Sequence, residues 1–288
     1  MKLAENYESY LEYLRAKGMS PKTIREHHRF LYGSLSHSIQ DRDIDDLKIA
    51  DIALVMEAGA KHGKTGSQRS VCVYRRLLKF MKDSGIKLPF DWRDLEVPKL
   101  TSKPVEYLTF EELEKVRNHL NPNYLPDLRT RALIEVLLDT GMRISEACSL
   151  DIKDIDWEKK EVRVVNAKSK DIEMVYFTDR SLGWLKKYIA KRKDGLPHLF
   201  VSGRGRLLTV TSRNYMRTHL DNIGIRKHIK HHIFRKTFAT YLIQGGVNIK
   251  EVQTLCRHRS ERTTLRAYVG VNVEQAKVSH QQILGNLE

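Results

Sequence analysis

The sequence predicts a mainly α-helical protein with a small antiparallel β hairpin or sheet in its C-terminal half, divided into two domains. Three observations lead there. The chain has 288 residues, more than the roughly 100 to 200 of one domain. Apolar residues recur at helical spacing over most of its length, and one pair of β-rich runs around a polar turn breaks that pattern. Hydrophobic residues make up 41% and charged residues 30%, a balance that supports a buried core and excludes a disordered chain.

The N-terminal elements read as short helices. Leu3, Tyr7, Tyr10, Leu11 and Leu14 form one apolar stripe, with Gly18 placed to end it. Ser20 can cap a second helix, and Pro21 stands in its first turn, where a missing amide hydrogen costs nothing, so residues 23–35 should be helical. Two more helices follow near 49–61 and 67–84. The last places Val71, Tyr74, Leu78 and Met81 on one face and Arg69, Arg75, Arg76 and Lys79 elsewhere on its surface. Residues 1–96 therefore form a compact helical bundle with no nucleophile beside a base, a binding module rather than a catalytic one. Its four cations are the candidate DNA contacts.

Residues 97–108, with Pro98 and Pro104, read as a linker. Thr109 followed three residues later by Glu112 is a capping-box pattern that opens a helix over 110–120 and a second domain, 109–288. Helices near 127–140 and 143–150 precede Val162, Val164 and Val165, then AKSKD, then Ile172, Met174, Val175 and Phe177, which read as a hairpin. Helices dominate afterwards, with a loop expected at SGRGR, 202–206.

With 51 Lys and Arg against 36 Asp and Glu, the formal charge is +15. A field of that size suits a polyanion, because each cation set against a phosphate releases condensed counterions. Three cysteines far apart, Cys72, Cys148 and Cys256, suggest neither a disulfide framework nor a zinc ribbon and fit a reducing cytoplasm. No signal-peptide core and no apolar run near the roughly 18 residues of a membrane span is present, so a soluble cytoplasmic protein is expected.

Four elements carry the chemistry. TGMRISEACSL puts Arg143 at the start of a helix after the turn residue Gly141, with Glu146 one turn on, where it orients a cation or forms a plain helix ion pair. Lys168 lies at the hairpin tip. HIFRKTFATYLI places His232 and Arg235 three apart, on one helical face. LCRHRSERTTLRAYVG places His258 ten residues before Tyr268. Each is unremarkable alone. In order and nearly in spacing the set resembles the signature of the tyrosine recombinase or phage integrase family: an arginine box, a hairpin lysine, H-x-x-R, a second histidine and a C-terminal tyrosine. General length and organisation look most like the Xer-type members, including archaeal ones.

The resemblance implies a site-specific DNA recombinase with a core-binding and a catalytic domain. Tyr268 would be the nucleophile, forming a 3′-phosphotyrosyl intermediate, and a phenol with a reference pKa near 10 needs a base, which the family assigns to His232. Arg143 and Arg235 would clamp the non-bridging oxygens with planar guanidiniums, and His258 would add a hydrogen bond. Lys168 would protonate the leaving 5′ oxygen. No cofactor and no metal is implied. The partner would be a double-stranded recombination site, joined by a homotetramer through a Holliday junction, with a C-terminal helix over 273–284 exchanged between subunits. Chromosome-dimer resolution is the expected role. Integration or excision of a mobile element, a topoisomerase-like nicking monomer and a non-catalytic DNA-binding protein are the alternatives.

The chain departs from the family in places. Lys236 replaces a frequent histidine, Arg257 stands where glycine often precedes the later histidine, and Ala167 and Ser169 replace glycines beside Lys168, which keeps Lys170 as an alternative. The interval from Thr264 to Tyr268 is one residue longer than usual; on one rigid helix it would turn the hydroxyl by about 100°. His228, His231 and His232 lack a carboxylate or cysteine at ligand spacing, and Tyr241 reads as a packing residue.

Overall fold

The computed structural model describes residues 1–35, 39–63, 65–98, 106–165, 172–203, 205–227 and 232–257. The chain divides into two compact units, Met1–Ser102 and Lys103–Glu288.

In the first unit α1 (Tyr7–Ala16), α2 (Pro21–His28), α3 (Ile52–Ala60) and α4 (Gly66–Asp83) enclose a core that includes Tyr7, Tyr10, Leu11, Leu31, Val55, Tyr74, Leu77 and Leu78. Ser20 Oγ accepts the Thr23 amide at 3.2 Å, so the serine cap forms with Pro21 in the first turn. The helix expected over 23–35 does not run as one: α2 gives way at Arg29 to a π-helical turn, Arg29–Ser34, and the shift of register buries Phe30 and Leu31. Helix α3 begins at Ile52, after a short 3₁₀ turn at Ile49–Asp51.

In the second unit the Thr109 capping box opens α5 (Phe110–His119), with Thr109 Oγ1 accepting the Glu112 amide and Glu112 accepting that of Thr109. Helix α6 (Leu125–Thr140) is buried on most sides and packs against α8 (Asp179–Lys191) and α10 (His232–Gln244). Its buried charges are paired: Glu135 accepts from Arg117 Nε and Nη2, each at 2.9 Å, and pairs with Arg131 at 2.8 Å. Helix α7 (Ile144–Ser149) leads into an antiparallel sheet of β1 (Ile155–Asp156), β2 (Glu161–Val165) and β3 (Ile172–Tyr176), ordered β1-β2-β3. Val162 pairs with Val175 and Val164 with Glu173; the valines of that register face the core, as alternation requires. Helices α9 (Thr209–Asn222) and α11 (Ile249–Leu255) are the second unit's other α-helices among the described residues.

One sequence expectation shifts here. Within the loop expected at SGRGR, Ser202 and Gly205 pair as β4 (Val201–Ser202) runs antiparallel to β5 (Gly205–Arg206), and Gly203 takes a left-handed φ of 55°. At the end of the expected linker, Leu108 is fully buried: its amide donates to Thr237 Oγ1 at 2.9 Å and its carbonyl accepts from Tyr241 Oη at 3.0 Å. Among the described residues, no helix is long and apolar enough to cross a membrane.

Gly141 closes α6 in the left-handed region at φ 58°, and a Cβ there would overlap the Phe238 ring. Gly141→Ala therefore meets both a backbone penalty and overpacking, together about 2 to 4 kcal/mol. A fall of several degrees in the thermal midpoint is the expected result; an unchanged midpoint would show that the turn relaxes freely.

Candidate active site

The turn after α6 builds one half of the site. Gly141 sends the chain back so that Arg143, with φ −71° and ψ 143°, becomes the cap of α7 rather than its first helical residue. Its amide donates to Glu146 Oε2 at 2.8 Å and its Nη1 to Glu146 Oε1 at 2.6 Å. Glu146 is buried, whereas the Arg143 side chain remains 37% exposed, so one edge of the guanidinium stays open to a ligand while the other is anchored.

Helix α10 supplies the other half. Arg235 is buried and donates Nη1 to the Gly141 carbonyl at 2.7 Å, which ties α10 to the turn that presents Arg143. Burial pushes the Arg235 guanidinium down to about 10, against the pull of Cys256; Arg143 and Arg257 push it further down and Glu146 opposes them. It stays cationic at neutral pH. This mutual influence places Arg143, Arg235, Arg257, Glu146 and Cys256 in one electrostatic neighbourhood. Burial also pushes the Glu146 carboxyl up, but the Arg257 charge and the Arg143 hydrogen bonds reverse this and hold it below the ordinary carboxylate range. Three guanidiniums against the carboxylates of Glu146 and Glu173 leave one positive charge in excess, which favours an anion because charges interact more strongly away from bulk water.

His232 begins α10 and is exposed, one turn before Arg235 and about 4.5 Å back along the axis. The structure thus brings Arg143 and Arg235 together and puts His232 on the same helix as the latter. Lys168, His258 and Tyr268 lie outside the described residues, as do Lys170 and the segment from Thr264 to Tyr268. Tyr241 is held by its bond to the Leu108 carbonyl and by an edge-on contact with Tyr107.

In the first unit Arg69, Arg75, Arg76 and Lys79 share an arc of about 120° on α4, counted at 100° per residue. Arg69, Arg76 and Lys79 are exposed. Some of this charge is engaged internally: Lys79 pairs with Asp83 at 2.8 Å, Arg75 lies over the Trp92 ring at 5.2 Å, and Arg76 Nη1 approaches His27 Nε2 at 3.4 Å. Burial, helped by Arg76, pushes His27 down to about 4, so it is neutral at physiological pH and leaves the arginine its charge.

Two residues escaped the sequence reading as members of the site, Arg257 and Glu173. Arg257 donates Nη2 to Glu146 Oε2 at 2.7 Å and lies 3.7 Å from Glu173 Oε2 on β3. The available signal for Arg257 was a large cation where the resemblance leads one to expect glycine, directly before His258. Glu173 had none, since an acid in a half-exposed strand is ordinary.

Guanidiniums gathered at the Gly141 turn, in one chain with a helical unit that carries a cationic arc on α4, are the equipment of a protein that meets the phosphates of nucleic acid. The chain belongs to the phage integrase family, which matches residues 106–275, and is a tyrosine-type site-specific DNA recombinase of Xer-like kind. It is 28% identical over 286 residues to tyrosine recombinase XerC of Myxococcus xanthus, covering 95% of this chain and 94% of that one. It is 29% identical over 290 residues to tyrosine recombinase XerA of Pyrococcus furiosus, covering 99% and 96%. Its fold matches that of the Tn1549 transposon integrase in complex with transposon right-end DNA, with a TM-score of 0.80 at 19% identity over 99% of this chain and 100% of that one.

Proposed function

We propose that this recombinase cleaves each strand by attack of Tyr268 on the scissile phosphate, with Arg143 and Arg235 clamping the non-bridging oxygens. The convergence of those two arginines on the Gly141 turn carries the reading. Negative charge grows on the non-bridging oxygens as the phosphorus becomes five-coordinate, and donors already in place stabilise it without reorganising. His258 adds a hydrogen bond, His232 takes the phenolic proton and Lys168 delivers one to the departing 5′ oxygen. The product is a 3′-phosphotyrosine and a free 5′ hydroxyl. Because the phosphodiester energy is kept in the tyrosyl ester, a 5′ hydroxyl from a partner strand reverses the step, and two such exchanges pass through a Holliday junction.

In this reading residues 1–96 grip the recombination site, 109–288 perform the chemistry, and four subunits assemble on two sites, each passing residues 273–284, which lie outside the described residues, to a neighbour. Similarity along nearly the whole length of XerC and XerA relatives supports chromosome-dimer resolution in the cytoplasm over a mobile-element role. Footprinting on the protein's own genome tests this: one intergenic chromosomal site is expected, and sites confined to the ends of a mobile element would overturn it. A nicked duplex carrying the recovered site should then trap a covalent protein–DNA adduct. Supercoiled plasmid lacking the site should stay supercoiled, whereas its relaxation would favour a topoisomerase-like activity.

The α4 cations would contact phosphates. Removing Arg76 should weaken binding about equally on every sequence and lower the slope of log affinity against log salt by about 1. A slope equal to that of the unaltered protein would take Arg76 out of the interface.

A further inference from the structure

Arg257 follows Cys256, the C-cap of α11, and its backbone is left-handed at φ 52°. Its amide donates to the Thr254 carbonyl at 2.9 Å. Helices commonly end on glycine in this position because a Cβ is strained there. An arginine that keeps such a backbone is held by what its side chain meets.

Its guanidinium is almost wholly buried, and it meets two carboxylates on different elements. Nη2 donates to Glu146 Oε2 at 2.7 Å on α7, while Nη1 lies 3.7 Å from Glu173 Oε2 on β3, too far for a hydrogen bond. Among the described residues neither Arg257 Nη1 nor Glu173 Oε2 has a hydrogen-bond partner, so this second contact is an ion pair with room to tighten. Glu146 in turn holds Arg143 through both its amide and its guanidinium. Glu173 lies opposite Val164 in the hairpin whose tip carries Lys168 in the sequence. One planar fork can span two acids in this way, which a single ammonium cannot.

We propose that Arg257 is a positioning residue for strand cleavage: it ties Glu146, and through it Arg143, to Glu173 on β3, so that the arginine turn and the hairpin move as one piece. The proposal rests on the recombinase reading of the site for its consequence in catalysis, but the tie itself is a property of the free protein.

Arg257→Gly, Arg257→Lys, Glu173→Gln and the double variant Arg257→Gly/Glu173→Gln test it. Glycine suits the left-handed backbone, so Arg257→Gly should melt within a few degrees of the unaltered protein. Its β2 and β3 amides should exchange hydrogen about 10-fold faster or more in the absence of DNA. At saturating nicked DNA the rate of adduct formation should fall by about 10- to 100-fold with affinity little changed, as expected when a reacting group is misplaced by an ångström or less. Arg257→Lys should lie between. Glu173→Gln, which leaves the Glu146 bond intact, should loosen the hairpin too, and the double variant should be no slower than Arg257→Gly alone, since both remove one tie.

Unchanged hairpin exchange in both Arg257→Gly and Glu173→Gln would overturn the proposal. So would additive losses of rate in the double variant, which would make Arg257 a direct phosphate ligand. If the unaltered protein forms no adduct but Arg257→Gly still loosens the hairpin, the tie stands and the recombinase mechanism falls instead.

Discussion

Tyr268→Phe is expected to abolish covalent capture of nicked DNA, with adduct falling below detection while the protein still binds its site. Phenylalanine keeps the ring and removes the one oxygen that can attack phosphorus, so no slower route through the same residue remains. Tyr241→Phe is the matched control. Its hydroxyl donates to the Leu108 carbonyl and sits on the same helix as Arg235, so its loss should cost about 1 kcal/mol of stability and leave the adduct intact. Electrophoresis under denaturing conditions with labelled DNA reads both. Adduct persisting in Tyr268→Phe but vanishing in Tyr241→Phe would move the nucleophile to α10.

Arg235→Lys should be nearly as damaging, slowing adduct formation at saturating DNA by about 10²- to 10³-fold, the usual consequence of removing one preorganised donor from a developing oxyanion. Two physical effects combine. Lysine cannot present the planar fork of donors with which Arg235 holds the Gly141 carbonyl through Nη1 and, in the proposed mechanism, meets the phosphate. Burial also pushes this position's guanidinium down to about 10 and leaves it charged. An ammonium starts near 10.4, so the same burial brings it toward losing its proton at working pH. Because a depressed cation regains its proton as pH falls, the deficit of Arg235→Lys relative to the unaltered protein should shrink toward lower pH. A deficit independent of pH would leave lost geometry as the whole explanation.

Much of this was legible in the chain before folding. Ser20 with Pro21 and Thr109 with Glu112 announce helix starts through bonds made within three or four residues, and the structure shows both caps. The β2 and β3 valines likewise announce their hairpin by period and β-branching. Where readings went astray, competing local preferences were close in energy. The π-helical turn after α2 depends on which register buries Phe30 and Leu31, and the pairing of Ser202 with Gly205 within SGRGR falls between Val201 and Leu207, both buried.

The sequence by itself determined the helical class, the antiparallel hairpin, the cationic character and, through the order of Arg143, Lys168, His232, Arg235, His258 and Tyr268, the family. All of these depend on residue types and short spacings, which the chain carries whether folded or not. Only the tertiary structure decided that Gly141 must lack a side chain because Phe238 lies against it, and that its carbonyl anchors Arg235 from 94 residues away. Only the tertiary structure joined Arg257 to Glu146, 111 residues earlier, with Glu173 within reach. Contacts between such distant positions leave no periodicity to read. They arise when α10 packs against both α6 and α11, and burial then makes each of the few charges there matter to the others.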